Sequence, residues 1–139
     1  MLPQPITVDS DPCDLVWRWR IDERLARKLI AMVRASEFAH IGLSIISGAR
    51  TFEQQRQLEL EGRPAADWHR TTHADRDLNG CPRLSTGVDV RPGLAAVPEV
   101  KVALGRAATF AGLRWGGGSS VDPQTGIPSD WNHLDLGPR

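Results

Sequence analysis

The sequence contains no segment that resembles a membrane span. No window approaches the roughly 18 consecutive apolar residues that a transmembrane helix needs. The first residues, Met-Leu-Pro-Gln-Pro, have neither a basic start nor an apolar run, so they lack the pattern of a secretory signal peptide. We therefore expect synthesis in the cytoplasm and no membrane partner.

Neither sign of charge is in excess, and cysteine is scarce. The 17 Lys and Arg residues balance the 17 Asp and Glu residues, so the composition does not suggest a nucleic-acid partner. The two cysteines, Cys13 and Cys81, do not form a C-x-x-C pair, and in a reducing compartment we expect free thiols, with a bridge as the alternative. The length of 139 residues fits one domain with one core, and we expect a monomer with an N-terminal arm at 1–20.

Local patterns predict an α+β fold. Hydrophobic periodicity and capping signals predict three helices, at 22–36, 51–61 and 97–112. Apolar runs predict strands at 41–47, 84–90, 113–115 and 129–136, the last as an edge strand. Residues 15–20 alternate and predict a short strand or a strap over the core. Helices and strands are interspersed without a regular βαβ rhythm, which favours α+β.

Two polar residues stand out because of where they lie in this pattern. Asp89 lies between Val88 and Val90, and an acid there is costly to bury unless it is paired or binds a metal. Arg50 lies at a junction between a strand and a helix. There it could bind a substrate carboxylate or form a structural ion pair, and the segment alone favours neither.

The chain also contains candidate metal ligands. His69 and His73 lie in the segment 62–82, whose length of about twenty residues is typical of functional or mobile loops. Asp130 lies three residues before His133, a pairing of acid and imidazole that suits hydrolysis at a metal but also arises often by chance. His73, Asp89 and His133 would form the ligand set of a catalytic zinc ion. The spacing alone does not establish it.

Three ordered blocks resemble the M15 family of zinc peptidases, which comprises D-Ala-D-Ala carboxypeptidases and L-Ala-D-Glu endolysin-type enzymes. The first block is Ser-Gly-Ala-Arg-Thr-Phe-Glu-Gln-Gln at 47–55. The second is Thr-Thr-His at 71–73, continued by Gly-Val-Asp-Val at 87–90. The third is Leu-Arg-Trp-Gly-Gly at 113–117, continued by Asp-Trp-Asn-His-Leu-Asp at 130–135.

The resemblance implies a small antiparallel sheet flanked by about three helices, as in the fold shared with the hedgehog signalling domain. It also implies site residues: His73, Asp89 and His133 as zinc ligands, and Asp130 as general base. Arg50 would be both catalytic and substrate-binding, and Gln55 and Trp115 would bind substrate.

The sequence departs from the family pattern in three places. The first histidine usually lies seven residues before the aspartate, where this chain has Pro82, whereas His73 lies sixteen before Asp89. An insertion at 74–85 would explain the difference, and His73 has the Thr-x-His context that His69 lacks. Ala49 replaces the usual aromatic residue, and the base is Asp130 instead of the commoner Glu.

The resemblance predicts a peptidase that cleaves peptidoglycan peptides. A phage or prophage endolysin, released to the cell wall through a holin, is the expected context. A D,D-carboxypeptidase would differ only in releasing free D-Ala. The alternative from another class is a non-catalytic peptidoglycan-binding or phage tail structural module with a degenerate site.

Overall fold

The described residues of the computed structural model, 2–61, 72–76, 79 and 83–138, form an α+β fold. The sheet is antiparallel and has the strand order β1-β2-β3-β5-β4. Its strands are β1 Gln4–Pro5, β2 Leu43–Ser47, β3 Gly87–Pro92, β4 Arg114–Trp115 and β5 His133–Asp135. The helices are α1 Pro12–Trp19, α2 Glu23–Arg34, α3 Phe38–Ile41, α4 Phe52–Leu60 and α5 Pro98–Phe110. The fold class predicted from the sequence is therefore confirmed.

The three predicted helices correspond to α2, α4 and α5. The carboxylate of Asp22 accepts a hydrogen bond from the backbone N–H of Arg24 at 2.8 Å, which caps α2. Thr51 and Gln54 form a reciprocal capping box at the start of α4, with hydrogen bonds of 3.1 and 2.9 Å. Such caps satisfy backbone donors that the first turn of a helix leaves without partners. The cap of α4 fixes the direction in which the chain leaves Arg50.

The expectation of a strand or strap at 15–20 is wrong, because residues 12–19 form the helix α1. Asp11 caps this helix by accepting from the backbone N–H of Cys13 at 2.9 Å, and Pro12 occupies its first turn, where a missing N–H costs nothing. Leu15 and Trp19 lie four residues apart and are both buried. The thiol of Cys13 is free and exposed, as expected, whereas Cys81 lies outside the described residues.

The prediction of a C-terminal edge strand at 129–136 is also wrong in part. Strand β5 covers only 133–135, and 129–132 form a turn. β5 pairs with β3 on one side and with β4 on the other, so it is an internal strand. This position buries His133, Leu134 and Asp135.

One hydrophobic cluster joins the helices to the sheet. Its largest fully buried side chains include Phe38, Leu15, Ile21, Leu25, Leu29, Met32, Leu43, Ile45, Leu104 and Leu134. Burying each such side chain contributes roughly 1.5–3 kcal/mol, so this cluster supplies most of the favourable free energy that holds the sheet in place. Within the described part of the chain, no helix has the length and apolar character needed to cross a membrane.

Candidate metal centre

The pairing of strands brings the predicted ligands together. In the antiparallel register of β3 and β5, Asp89 lies directly opposite His133. His73 comes from the segment after α4, where its carbonyl accepts a hydrogen bond from the backbone N–H of Arg50 at 2.6 Å. The N–H of Asp75 donates to the carbonyl of Arg50 at 3.2 Å, so a bridge between Arg50 and Ala74 fixes the segment directly after His73. Three separate parts of the chain thus meet at one point.

The distances between the ligand atoms fit a tetrahedral ion. His133 Nδ1 lies 3.2 Å from His73 Nε2 and 3.2 Å from Asp89 Oδ1, and the remaining His73–Asp89 distance is 3.5 Å. Ligands placed about 2.0–2.1 Å from a tetrahedral metal lie roughly 3.3–3.4 Å from one another. His73 and His133 are buried, and Asp89 retains 17% of its side-chain exposure. The group can therefore hold a metal ion, as predicted.

Each histidine is oriented by a hydrogen bond on its other ring nitrogen. His73 Nδ1 donates to the carbonyl of Gly48 at 2.5 Å, and His133 Nε2 donates to Asp135 Oδ2 at 2.7 Å. Metal-binding histidines are commonly fixed in this way, because the outer acceptor holds the N–H and directs the ligand nitrogen toward the ion. The inner atoms are thus His73 Nε2 and His133 Nδ1.

Asp135 supports His133 and has no role in the sequence analysis. It is completely buried, and its carboxylate accepts two hydrogen bonds of 2.9 Å from Arg114 and one of 2.7 Å from the N–H of Gly137. The resulting chain of hydrogen bonds runs from Arg114 through Asp135 to His133. A sequence signal existed, since an acid two residues after His133 in a strand lies on the same face as the histidine.

The ring of His133 also lies between two glycines. A Cβ atom at Gly87 would come within 2.8 Å of His133 Cε1, and one at Gly117 within 2.8 Å of His133 Cδ2. Gly117 has a positive φ of 60°, a conformation that favours glycine. Both positions therefore require a residue without a side chain if His133 is to keep its orientation.

Arg50 forms the ion pair that the sequence left open as an alternative to substrate binding. Its Nη2 donates to Asp89 Oδ2 at 2.7 Å, which leaves Oδ1 facing the histidines. Its Nη1 donates to Gln55 Oε1 at 3.2 Å, and Gln55 itself is buried. In this structure Arg50 and Gln55 hold Asp89 in place, and their contact with a substrate remains a prediction.

The charges of the site shift the pKa values of its acids and of one histidine. Burial alone would raise the pKa of Asp89, but hydrogen bonds from His133 and His73 and the charge of Arg50 hold it far below its usual range. Burial alone would lower the pKa of His133, yet hydrogen bonds with Asp135 and Asp89 raise it to about 9. Without a metal, His133 is therefore a cation that donates from both ring nitrogens.

Asp130 is not one of the ligands, but its carboxylate interacts electrostatically with His133 and Asp89. It lies in the turn before β5, where its carbonyl accepts from the N–H of His133 at 3.0 Å and its own N–H donates to Ser119 Oγ at 3.1 Å. Although the residue is exposed, partial desolvation raises the pKa of its carboxyl group, and the charge of Asp89 adds to the rise.

Trp115 packs mainly against the core. Its indole N–H donates to the carbonyl of Trp131 at 2.7 Å, and its ring lies so close to α5 that a Cβ at Gly105 would approach it to 2.4 Å. These contacts leave the substrate-binding role of Trp115 as a prediction. His69, the other candidate for the first ligand, lies outside the described residues.

Comparison with known proteins adds no assignment. No model of a known protein family matches the chain, and no curated protein matches it either.

Proposed function

We propose that this chain is a zinc peptidase that hydrolyses peptide bonds in the stem or cross-link peptides of peptidoglycan. The proposal depends above all on one observation: three ligand atoms, His73 Nε2, Asp89 Oδ1 and His133 Nδ1, lie at the mutual distances of a tetrahedral site. The ordered sequence blocks that resemble M15 peptidases contain the same three residues, and they provide the substrate class.

Zinc is the metal that the ligand set favours. Two imidazole nitrogens and one carboxylate oxygen form a common catalytic zinc site, in which the fourth position is open to water or substrate. Magnesium and calcium prefer sites made of oxygen atoms, so they suit this set less well. When bound, zinc supplies Lewis acidity, which polarises a carbonyl and makes water a stronger acid.

Asp130 is the proposed general base. Desolvation raises the pKa of its carboxyl group above the usual range, and a carboxylate with a raised pKa is a stronger base. It therefore takes a proton from the attacking water and delivers it to the leaving amine. His73 and Asp89 keep their positions during this transfer, because His73 donates a hydrogen bond to the Gly48 carbonyl and Asp89 accepts one from Arg50.

The substitution Asp130→Asn tests this role. The side chain keeps its size but can no longer accept the proton, so hydrolysis of purified muropeptides should fall by about 10²- to 10⁴-fold. Zinc content should stay at the wild-type level, because Asp130 is not among the ligands. Asp122→Asn, an exposed acid in the preceding loop, is the matched control and should retain full activity.

Mass spectrometry of the products distinguishes the reactions within this class. Release of free D-Ala identifies a carboxypeptidase, whereas cleavage between L-Ala and D-Glu or within a cross-link identifies an endopeptidase. A zinc-loaded wild-type chain that binds muropeptides without cleaving any would instead be a binding module, and the peptidase proposal would be wrong.

A further inference from the structure

A groove lies next to the candidate metal centre and is lined by arginines. It is formed between the end of α1, the end of β2 and the start of α4, and we call it the arginine groove. Its lining includes Arg18, Trp19, Arg20, Arg50, Gln54 and Leu58. Among the described residues that line it, none is acidic. In a chain with a formal net charge of zero, this is a local concentration of positive charge.

Two of these arginines lack an acidic partner. Arg50 pairs with Asp89, but within the described part of the chain neither Arg18 nor Arg20 forms an ion pair. Both are exposed, and the guanidinium of Arg20 lies 5.3 Å from the ring centre of Trp17. Arg18 and Arg20 therefore contribute positive charge to the lining of one groove without a counter-charge, and such charge attracts an anion.

The backbone of Arg20 provides an independent observation. Its φ of 54° and ψ of 45° make it the one residue other than glycine with a positive φ in the described chain. Glycine or asparagine usually fills this position after a helix, because a Cβ is unfavourable there. The conformation is imposed by hydrogen bonds from the N–H of Arg20 to Val16 and from the N–H of Ser85 to Arg20. An arginine at this position costs stability, which indicates that its side chain serves another purpose.

The arginine groove and the metal centre share the segment from Gly48 to Arg50. Gly48 lines the groove, and its carbonyl holds His73, while Arg50 lines the groove and holds Asp89. We propose that the arginine groove binds carboxylates of the peptide whose bond is cleaved at the metal, with Arg18 and Arg20 as the binding residues. This inference rests on the proposed function for its substrate class. Stem peptides suit it because D-Glu and the peptide terminus carry carboxylates.

The substitution Arg20→Gly tests the proposal without threatening the fold, since glycine is favoured at this backbone conformation. The probe is a synthetic stem peptide with free carboxylates, compared with the same peptide in which the carboxylates are amides. Binding is measured by calorimetry on the full chain, both loaded with zinc and after removal of metal. Arg106→Gln, an exposed arginine in a different groove, is the matched control.

We expect Arg20→Gly and Arg18→Gln each to weaken binding of the acid peptide by about five- to tenfold, and the Arg106 variant to leave it unchanged. The amide peptide should bind weakly to all of them. The melting temperature of Arg20→Gly should be at least that of wild type, which excludes unfolding as the cause. Equal loss in the Arg106 variant, or equal binding of acid and amide peptides, would overturn the proposal.

Three further outcomes test the ligand of the groove and separate the groove from the cleavage reaction. If inorganic phosphate binds as tightly as the peptide and with the same dependence on Arg20, the groove recognises phosphoryl anions and the carboxylate assignment is wrong. If the acid peptide binds as expected but the zinc-loaded chain cleaves nothing, the groove assignment stands and the peptidase proposal fails. If the zinc-loaded chain cleaves the acid peptide with a KM that Arg20→Gly does not change, the peptidase proposal stands and the groove assignment fails.

Discussion

His133 is the residue on which we expect the candidate metal centre to depend most. One ring nitrogen faces His73 and Asp89, and the other donates to Asp135. Its ring fits between Gly87 and Gly117, which have no side chains. A small change in this environment should therefore affect metal binding more than it affects the fold.

Gly117→Ala tests the fit of the His133 ring. The new Cβ would come within 2.8 Å of His133 Cδ2, so the ring must move and the metal affinity should fall by about tenfold or more. Gly126→Ala is a matched control, because Gly126 also has a positive φ but a Cβ there would meet no atom within 4 Å. Both variants should lose about 1–2 kcal/mol of stability from backbone strain, and only Gly117→Ala should weaken zinc binding in a competition titration with a chelator. Equal zinc affinities would contradict this account.

The protonation of His133 predicts a pH dependence for metal binding. The pKa of His133 in the metal-free chain is about 9, so at neutral pH a proton must leave Nδ1 before a metal can bind there. Asp89, whose pKa is lowered, is already ionised and releases none. Metal affinity should therefore fall about tenfold per pH unit below pH 9, with close to one proton released at pH 7.

Calorimetry in two buffers with different ionisation enthalpies measures this proton release directly. Zinc affinity that is the same at pH 6.5 and pH 8.5 would contradict the assignment of His133 Nδ1 as a ligand. The same pKa shift stabilises the metal-free chain below the usual histidine pKa of 6.5, and this stabilisation should disappear as the pH rises through 9.

Among the secondary-structure elements, the pair β4 and β5 carries the side chains that orient His133 in the candidate metal centre. Arg114 and Asp135 are cross-strand partners in this pair, and their bidentate ion pair fixes the acceptor for His133. The strands are short, at two and three residues, so these side-chain contacts add to few backbone hydrogen bonds. The support of the metal site is therefore also part of the sheet.

Asp135→Asn should weaken zinc binding by about 10- to 100-fold, because the amide is a poorer acceptor for the His133 N–H. Arg114→Gln keeps the carboxylate beside His133 and should cost less metal affinity, although it removes the same ion pair. Measuring zinc affinity and thermal stability for both variants separates the two roles. If the Arg114 variant loses as much zinc affinity as the Asp135 variant, the claim that Asp135 acts directly on His133 and Arg114 only through Asp135 is contradicted.

The sequence predicted the helices α2, α4 and α5 because each has local signals: the Asp22 cap, the Thr51 capping box and hydrophobic periodicity. It missed α1 because the alternation of tryptophan and arginine in 15–20 suggested a strand, while the prolines and acids around Asp11 and Pro12 suggested an extended arm. The sequence placed β5 at an edge because local pattern did not reveal its pairing with β4. That strand has only two residues and is distant from β5 in the sequence. Local pattern cannot identify a pairing between short, distant strands.

At the scale of the whole molecule, the sequence predicted the three ligands but not their support. His73, Asp89 and His133 came from a pattern of residue types, and their convergence is confirmed. The hydrogen bonds from His73 to Gly48 and from Arg50 to Asp89 depend on how β2, β3 and the segment around His73 pack, which is a tertiary property. The predicted insertion at 74–85 lies partly outside the described residues.

Since the ligands come from three distant parts of the chain, zinc should stabilise the whole fold. Binding to the folded state alone adds about 2.7 kcal/mol at a free zinc concentration of 100 times the Kd. The melting temperature should therefore rise with zinc and return to its original value after chelation. Magnesium at the same concentration is the control and should have little effect. Unchanged melting with zinc would contradict a site assembled by folding.

The most direct test of the central claim is the zinc content of purified wild type, His73→Ala and His40→Ala, measured by elemental analysis. His40 is exposed and lies outside the ligand group, so its substitution controls for the loss of a histidine. The account predicts close to one zinc per chain in wild type and in His40→Ala, and little in His73→Ala. Full zinc content in His73→Ala, or none in wild type, would contradict a metal centre formed by His73, Asp89 and His133.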